Sequence, residues 1–192
     1  MSNLTILALS GSLRKDSLNT RLLTAVTRLA PPELTFDVFG DLAAIPLFNE
    51  DDEHPAPSAV AQLRHRIRAA DGVLIATPEY NAAMPGVLKN ALDWLSRPVA
   101  EGPVLEHKPV AIIGASQGPL GTIRAQLNLR SVLHKMNADA LGQPEFVLPH
   151  AHQALADGEL PAGSPSPAIL TAVVDGLVGL IEHRRALASL GR

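Results

Sequence analysis

The sequence predicts an α/β fold: a three-layer sandwich with a five-stranded parallel sheet in the order 2-1-3-4-5, covering residues 1–192 as one domain. Two observations predict it. Five short apolar runs, LTILAL, ELTFDVF, GVLIAT, KPVAIIGA and PEFVLP, alternate with helix-like segments, the pattern of βαβ units around a mainly parallel sheet. The chain has 192 residues, 46% hydrophobic and 18% charged, enough for one such core and too short for two comfortable ones.

The elements follow in order. LTILAL is the first strand. After it Leu18, Leu22, Ala25, Val26 and Leu29 recur at helical spacing, so one apolar stripe can lie on the sheet. ELTFDVF is the second strand and residues 58–69 give a short helix. GVLIAT reads as a buried strand, followed by a helix over 87–96. KPVAIIGA leads to a helix over roughly 120–137, and PEFVLP is a weaker fifth strand. Leu170, Val173, Val174, Leu177, Val178 and Ile181 then repeat at i, i+3, i+4, i+7 in a final helix. Two stretches, PLFNEDDEHPAPS and ADGELPAGSPSP, carry the prolines and small polar residues of loops.

Composition narrows the chemistry. A net charge of −3 with no basic run offers no positive stripe to nucleic acid or to an anionic membrane. The absence of cysteine excludes disulfides, thiolate nucleophiles, cysteine-ligated zinc and iron–sulfur clusters, so any redox chemistry must come from a bound organic cofactor. MSNLTILALSGS lacks a basic leader and fits a first strand better than a signal peptide or membrane span, which makes the cytoplasm the expected location. EDDEH reads as a solvated turn, with a metal site from its carboxylates and His54 as the alternative.

In a sheet of this order, ligands bind beyond the carboxyl ends of strands 1, 3 and 4, so three loops are decisive. The first, SGSLRKDSLNT, places the hydroxyls of Ser10, Ser12 and Ser17, the Asn19 amide and the Arg14 guanidinium at a helix start, a nest for a phosphate. It lacks GxxxxGK[ST] and GxGxxG, so a single phosphate monoester, as on FMN, suits it better than a triphosphate or a dinucleotide. The second, TPEYNAAMPG, offers backbone amides around Glu79–Asn81 to the polar edge of a flat heterocycle, with Tyr80, the chain's one tyrosine, beside them. The third, GASQGPLG, matches the nucleophile elbow G-x-S-x-G at Gly114, Ser116 and Gly118. Asp139 or Glu145, then His150 or His152, follow in the order a serine hydrolase uses. The same glycines would equally let the backbone approach a planar ligand.

Taken together, SGSLRKDSLNTRLL, TPEYNAAMPGVLKNALDWLSRP and GASQGPLGTIRAQLNLRSVL resemble the NADPH-dependent FMN reductase family, a flavodoxin-like group that includes chromate, quinone and azo-dye reductases. The resemblance implies that Ser12, Arg14, Ser17 and Asn19 hold the FMN phosphate. It also implies that Pro78, Glu79, Tyr80 and Asn81 line the isoalloxazine, with Ser116 and Gly118 near its other side. The implied reaction is ping-pong hydride transfer from NADPH or NADH through flavin N5 to a quinone, chromate, azo or flavin acceptor, with no catalytic acid–base pair. An FMN-binding electron carrier without efficient NAD(P)H use is the alternative, and the hydrolase using Ser116 a third. Arg14, Lys15 and Arg97 are the candidate partners of an NADPH 2′-phosphate.

In VLKNALDWL, the residues Val87, Leu88, Ala91, Leu92, Trp94 and Leu95 cover a helical arc of about 160°, wider than the stripe of somewhat over 100° that one sheet contact needs. The surplus predicts a homodimer or homotetramer through this helix, with Trp94 as an interface anchor. The resemblance implies the same oligomers.

Overall fold

The computed structural model describes residues 3–98, 100, 102–155, 160, 161 and 163–191. The first strand, β1 (Leu4–Ser10), pairs in parallel with β2 (Leu34–Phe39) on one side and β3 (Gly72–Ala76) on the other. Beyond β3 lies β4 (Pro109–Ala115), and its free side takes two short parallel strands, β5 (Asp139–Ala140) and β6 (Phe146–Leu148). The sheet order is β2-β1-β3-β4-β5, with β6 also on β4.

Here the structure differs from the single fifth strand read from PEFVLP. β5 lies opposite Pro109 and Val110, while β6 lies opposite Ile113 to Ala115. Leu141 N–H still donates to the Val110 carbonyl at 2.8 Å, and residues 142–145 then leave the ladder, Pro144 among them having no N–H to contribute.

The helices are α1 (Leu18–Leu29), α2 (Ser58–Ala69), α3 (Gly86–Leu95), α4 (Ile123–Lys135), the single turn α5 (Ala151–Ala154) and α6 (Ser166–Ser189). α4 is shorter than the predicted 120–137, because Gly118 to Gly121 stay in the loop. Side chains alternate across each strand, so Leu7 and Leu9 of β1 join one core with α2, α3 and α4, and Leu4, Ile6 and Ala8 join the other with α1 and α6. All five residues of β3 are buried, as a strand covered on both faces requires. α6 is long and apolar enough to cross a membrane by length and composition, yet Leu170, Val173, Val174, Leu177 and Ile181 are buried on the sheet. Of the loop ADGELPAGSPSP, residues 156–159 and 162 lie outside the described residues.

Trp94 corrects a prediction. Its side chain is 1% exposed within its own chain, edge-on to Phe48 with ring centroids 5.0 Å apart, and its Nε1 donates to the Pro46 carbonyl at 2.9 Å. The segment 45–48 folds over α3 and covers the surplus arc, with Asn90 bonding both ends of it. Trp94 therefore anchors a loop of its own chain instead of standing on the surface as an interface anchor would.

Candidate functional site: a cleft at the carboxyl ends of β1, β3 and β4

The three loops meet in one cleft of about 400 Å³. Nine of the ten predicted site residues line it: Ser12, Arg14, Ser17, Asn19, Pro78, Glu79, Tyr80, Ser116 and Gly118. Asn81 does not. It stands exposed at the tip of a tight turn in which Tyr80 and Ala83 exchange backbone hydrogen bonds of 3.0 and 3.1 Å, with φ of 52° at Asn81 and 62° at Ala82. Asparagine tolerates that left-handed backbone better than most residues.

The first loop is knitted by its own hydroxyls. Ser17 caps α1 by accepting from the Thr20 N–H at 3.2 Å, and Ser12 Oγ accepts from the Arg14 N–H at 3.3 Å. Each hydroxyl uses a lone pair on the backbone and keeps its O–H as a donor toward the cleft. The first-turn amides of Leu18 and Asn19 have no intrahelical partner by the geometry of a helix start. The Arg14 guanidinium is exposed and makes no ion pair among the described residues. The mouth of the cleft therefore presents donors and one free positive charge, the requirements of a phosphate.

Two predicted ligands have side chains committed elsewhere. The Asn19 amide, 2% exposed, donates Nδ2 to the Ala115 carbonyl and accepts from the Ala115 N–H through Oδ1, both at 2.9 Å. The Glu79 carboxylate accepts from the backbone N–H of Arg124 at 3.0 Å and of Ala125 at 3.2 Å, and from Arg124 Nε at 2.6 Å, completing an ion pair with that guanidinium. It caps α4 from outside, because Thr122 makes no capping bond with its side chain. Sequence reasoning missed Arg124. The available signal was a cation in the first turn of a helix, where the macrodipole disfavours it unless an anion lies close.

The third loop does not form the strained elbow of a hydrolase. Ser116 has an ordinary backbone, its Oγ contacts the Gly118 carbonyl at 3.4 Å, and no histidine bonds it among the described residues. Of the candidate acids, Asp139 is tied to Arg184 and Glu145 faces Arg130. Gly114 serves a contact inside the protein: a Cβ there would stand 1.8 Å from Thr122 Oγ1 and 2.7 Å from the Thr77 carbonyl. Gly118 differs, since a Cβ there meets nothing nearer than Ser116 Oγ at 3.8 Å. The backbone N–H groups of Gln117 and Gly118 take no acceptor among the described residues, leaving donors for the polar edge of a flat ring.

Two other predicted features lie outside the cleft. Arg97 is paired with Glu53 and, at 3.9 Å, with Glu50, so it is not a mouth cation for a 2′-phosphate. The same pairing accounts for part of the acidic loop, and no group of three metal-ligating side chains occurs among the described residues.

A doubly wound sheet with a donor-rich cleft at its switch point defines the flavodoxin-like class of α/β proteins. The family model for NADPH-dependent FMN reductase matches residues 4–153, and the chain belongs to that family. It is 46% identical over 147 residues to a 2-hydroxy-1,4-benzoquinone reductase of Burkholderia sp., spanning 77% of this chain and 79% of that relative. It is 46% identical over 157 residues to an NAD(P)H-dependent FMN reductase of Pseudomonas aeruginosa, spanning 81% and 83%. Among solved structures it superposes with a TM-score of 0.83 on FerB, a flavoenzyme NAD(P)H:(acceptor) oxidoreductase from Paracoccus denitrificans, at 36% identity over 94% of this chain and 98% of that one. The protein is an oxidoreductase of this family, with FMN as cofactor and NAD(P)H as hydride donor. The cleft fits that cofactor: the unpaired Arg14, the free donors around it and the open space over Gly118 suit a phosphate and a planar ring.

Proposed function

We propose that this chain is an NAD(P)H:quinone oxidoreductase working by a ping-pong mechanism. When bound, FMN supplies the hydride chemistry, and the protein's task is to bind, orient and shield. Ser12 and Ser17 hydroxyls, the first-turn amides of α1 and Arg14 hold the phosphate. Pro78, the backbone of Glu79 and Tyr80, and Ser116 with Gly118 would hold the ring system between the second and third loops. Among the described residues Glu79 is the one carboxylate lining the cleft and is bound to Arg124, and no histidine lines it, as hydride transfer permits.

The observation that carries the reading is the meeting of the three loops around a single cleft of about 400 Å³. With FMN held there, donor and acceptor would share the one opening of the cleft and so would take turns. Tyr80 and Leu120, exposed at 48% and 53% on the rim, give that face apolar walls suited to a quinone ring. The names of the quinone-reducing relatives support this acceptor over chromate or azo dyes.

The test is anaerobic stopped flow on the FMN-loaded protein. NADPH or NADH alone should bleach the flavin absorbance, and benzoquinone added afterwards should restore it. Steady-state double-reciprocal plots should be parallel. Intersecting lines, or bleaching that requires the quinone to be present, would refute the ping-pong assignment.

A further inference from the structure

The third loop is fastened at both of its ends by side chains from the other two. At its start, Asn19 of α1 brackets the Ala115 peptide with two hydrogen bonds of 2.9 Å across 96 residues of sequence, in a fully buried setting. At its end, Glu79 of the second loop holds the Arg124 and Ala125 amides and the Arg124 guanidinium across 45 residues. Between these points the loop is tied to the β6–α5 segment, by Ser116 N–H to the Leu148 carbonyl at 3.0 Å and Ala151 N–H to the Ser116 carbonyl at 2.9 Å.

We propose that Asn19 and Glu79 are positioning residues whose side chains set the 116–121 loop in its flavin-receiving shape, and that neither side chain is a ligand of the cofactor. An amide with both its oxygen and a nitrogen hydrogen on one buried peptide has no reach left toward a phosphate at the mouth. A carboxylate accepting three hydrogen bonds at a helix start is an anion already neutralised; unpaired, it would repel the phosphate. Both fastenings join groups of the chain to one another, so the loop's shape rests on the protein itself and binding has less order to create.

This rests on the FMN reading above, and the test separates the two. FMN and riboflavin differ by the phosphate alone. Asn19→Ala should weaken binding of both by the same factor, about tenfold or more, because the loop and not the phosphate has lost its support. Arg14→Ala should weaken FMN alone. In the apoprotein, hydrogen exchange of the bonded loop amides, Ser116 and Gly121, should rise in Asn19→Ala and in Glu79→Gln, and remain unchanged in Arg14→Ala. Glu79 lies at the edge of the cleft, so Glu79→Gln keeps the test open if Asn19→Ala does not fold. The proposal is overturned if Asn19→Ala or Glu79→Gln loses FMN but not riboflavin affinity, or if loop exchange is unmoved in both. Wild-type protein that binds neither flavin would overturn the FMN reading instead, while the exchange measurement would still decide the fastening.

Discussion

Gly114 and Gly118 lie four residues apart in one loop motif, and the structure gives them opposite duties. At Gly114 an added methyl would sit 1.8 Å from Thr122 Oγ1, and that hydroxyl is fully buried and bonded by Gln126 Nε2 at 3.1 Å, so it has no room to turn away. Gly114→Ala should therefore destabilise the fold by about 1–3 kcal/mol or more, the scale of overpacking a core, measured by urea denaturation of the apoprotein. At Gly118 the backbone is ordinary and the space beside it is open. Gly118→Val should leave the urea midpoint of the apoprotein nearly unchanged and reduce flavin affinity by about tenfold or more, because its side chain would occupy cleft volume. Unchanged flavin affinity in Gly118→Val would remove Gly118 from the site.

At the scale of the element, α3 shows how a wide apolar arc can be covered from within. Trp94 fills the space beneath the 45–48 segment and shares the Pro46 carbonyl with Asn90 Nδ2. Trp94→Ala should cost about 3–5 kcal/mol in denaturant unfolding, as deletion of a buried large aromatic does. Trp94→Phe should cost less, about 1–3 kcal/mol, since one of the two fused rings remains while the other and its hydrogen bond are lost. If Trp94→Ala left stability unchanged, the side chain would not be the core residue described. The sequence could not show this, because the periodicity of VLKNALDWL reports that a face is apolar and not what lies on it. The three loops were legible for a local reason: each follows a buried apolar strand and carries more polar groups than a turn requires. The Asn19 and Glu79 contacts were not, since an amide and a carboxylate look alike as ligands until partners 96 and 45 residues away are placed beside them. The divided fifth strand was hidden in the same way, because two-residue β5 is too short to leave a pattern.

Over the whole molecule, two ion pairs tie outlying elements to the sandwich and predict how it responds to acid. Asp37 on the edge strand β2 accepts from Arg66 of α2, with Nε at 2.8 Å, and Asp139 of β5 accepts from Arg184 of α6, with Nη2 at 2.9 Å. In both cases the arginine's hydrogen bonds hold the carboxyl below its usual range, with burial opposing and the arginine's charge assisting, and His107 adds a smaller pull on Asp139. A carboxylate with a lowered folded pKa stabilises the fold above its unfolded pKa of about 3.9, and that stability is lost as pH falls through the folded value. The urea midpoint should accordingly hold from neutral pH to about pH 5 and fall steeply below about pH 4. Asp37 is 39% exposed on its side chain and solvent screens it, so its share is the smaller. Asp139, 25% exposed and joined to the last helix, is the better probe. Asp139→Asn should be less stable than wild type near neutral pH by about 1 kcal/mol, and the two urea midpoints should converge as pH approaches the lowered Asp139 pKa, where the wild-type carboxylate takes up its proton. A difference between the two proteins that stayed constant from pH 7 to the acid transition would mean that Asp139 contributes packing and not charge.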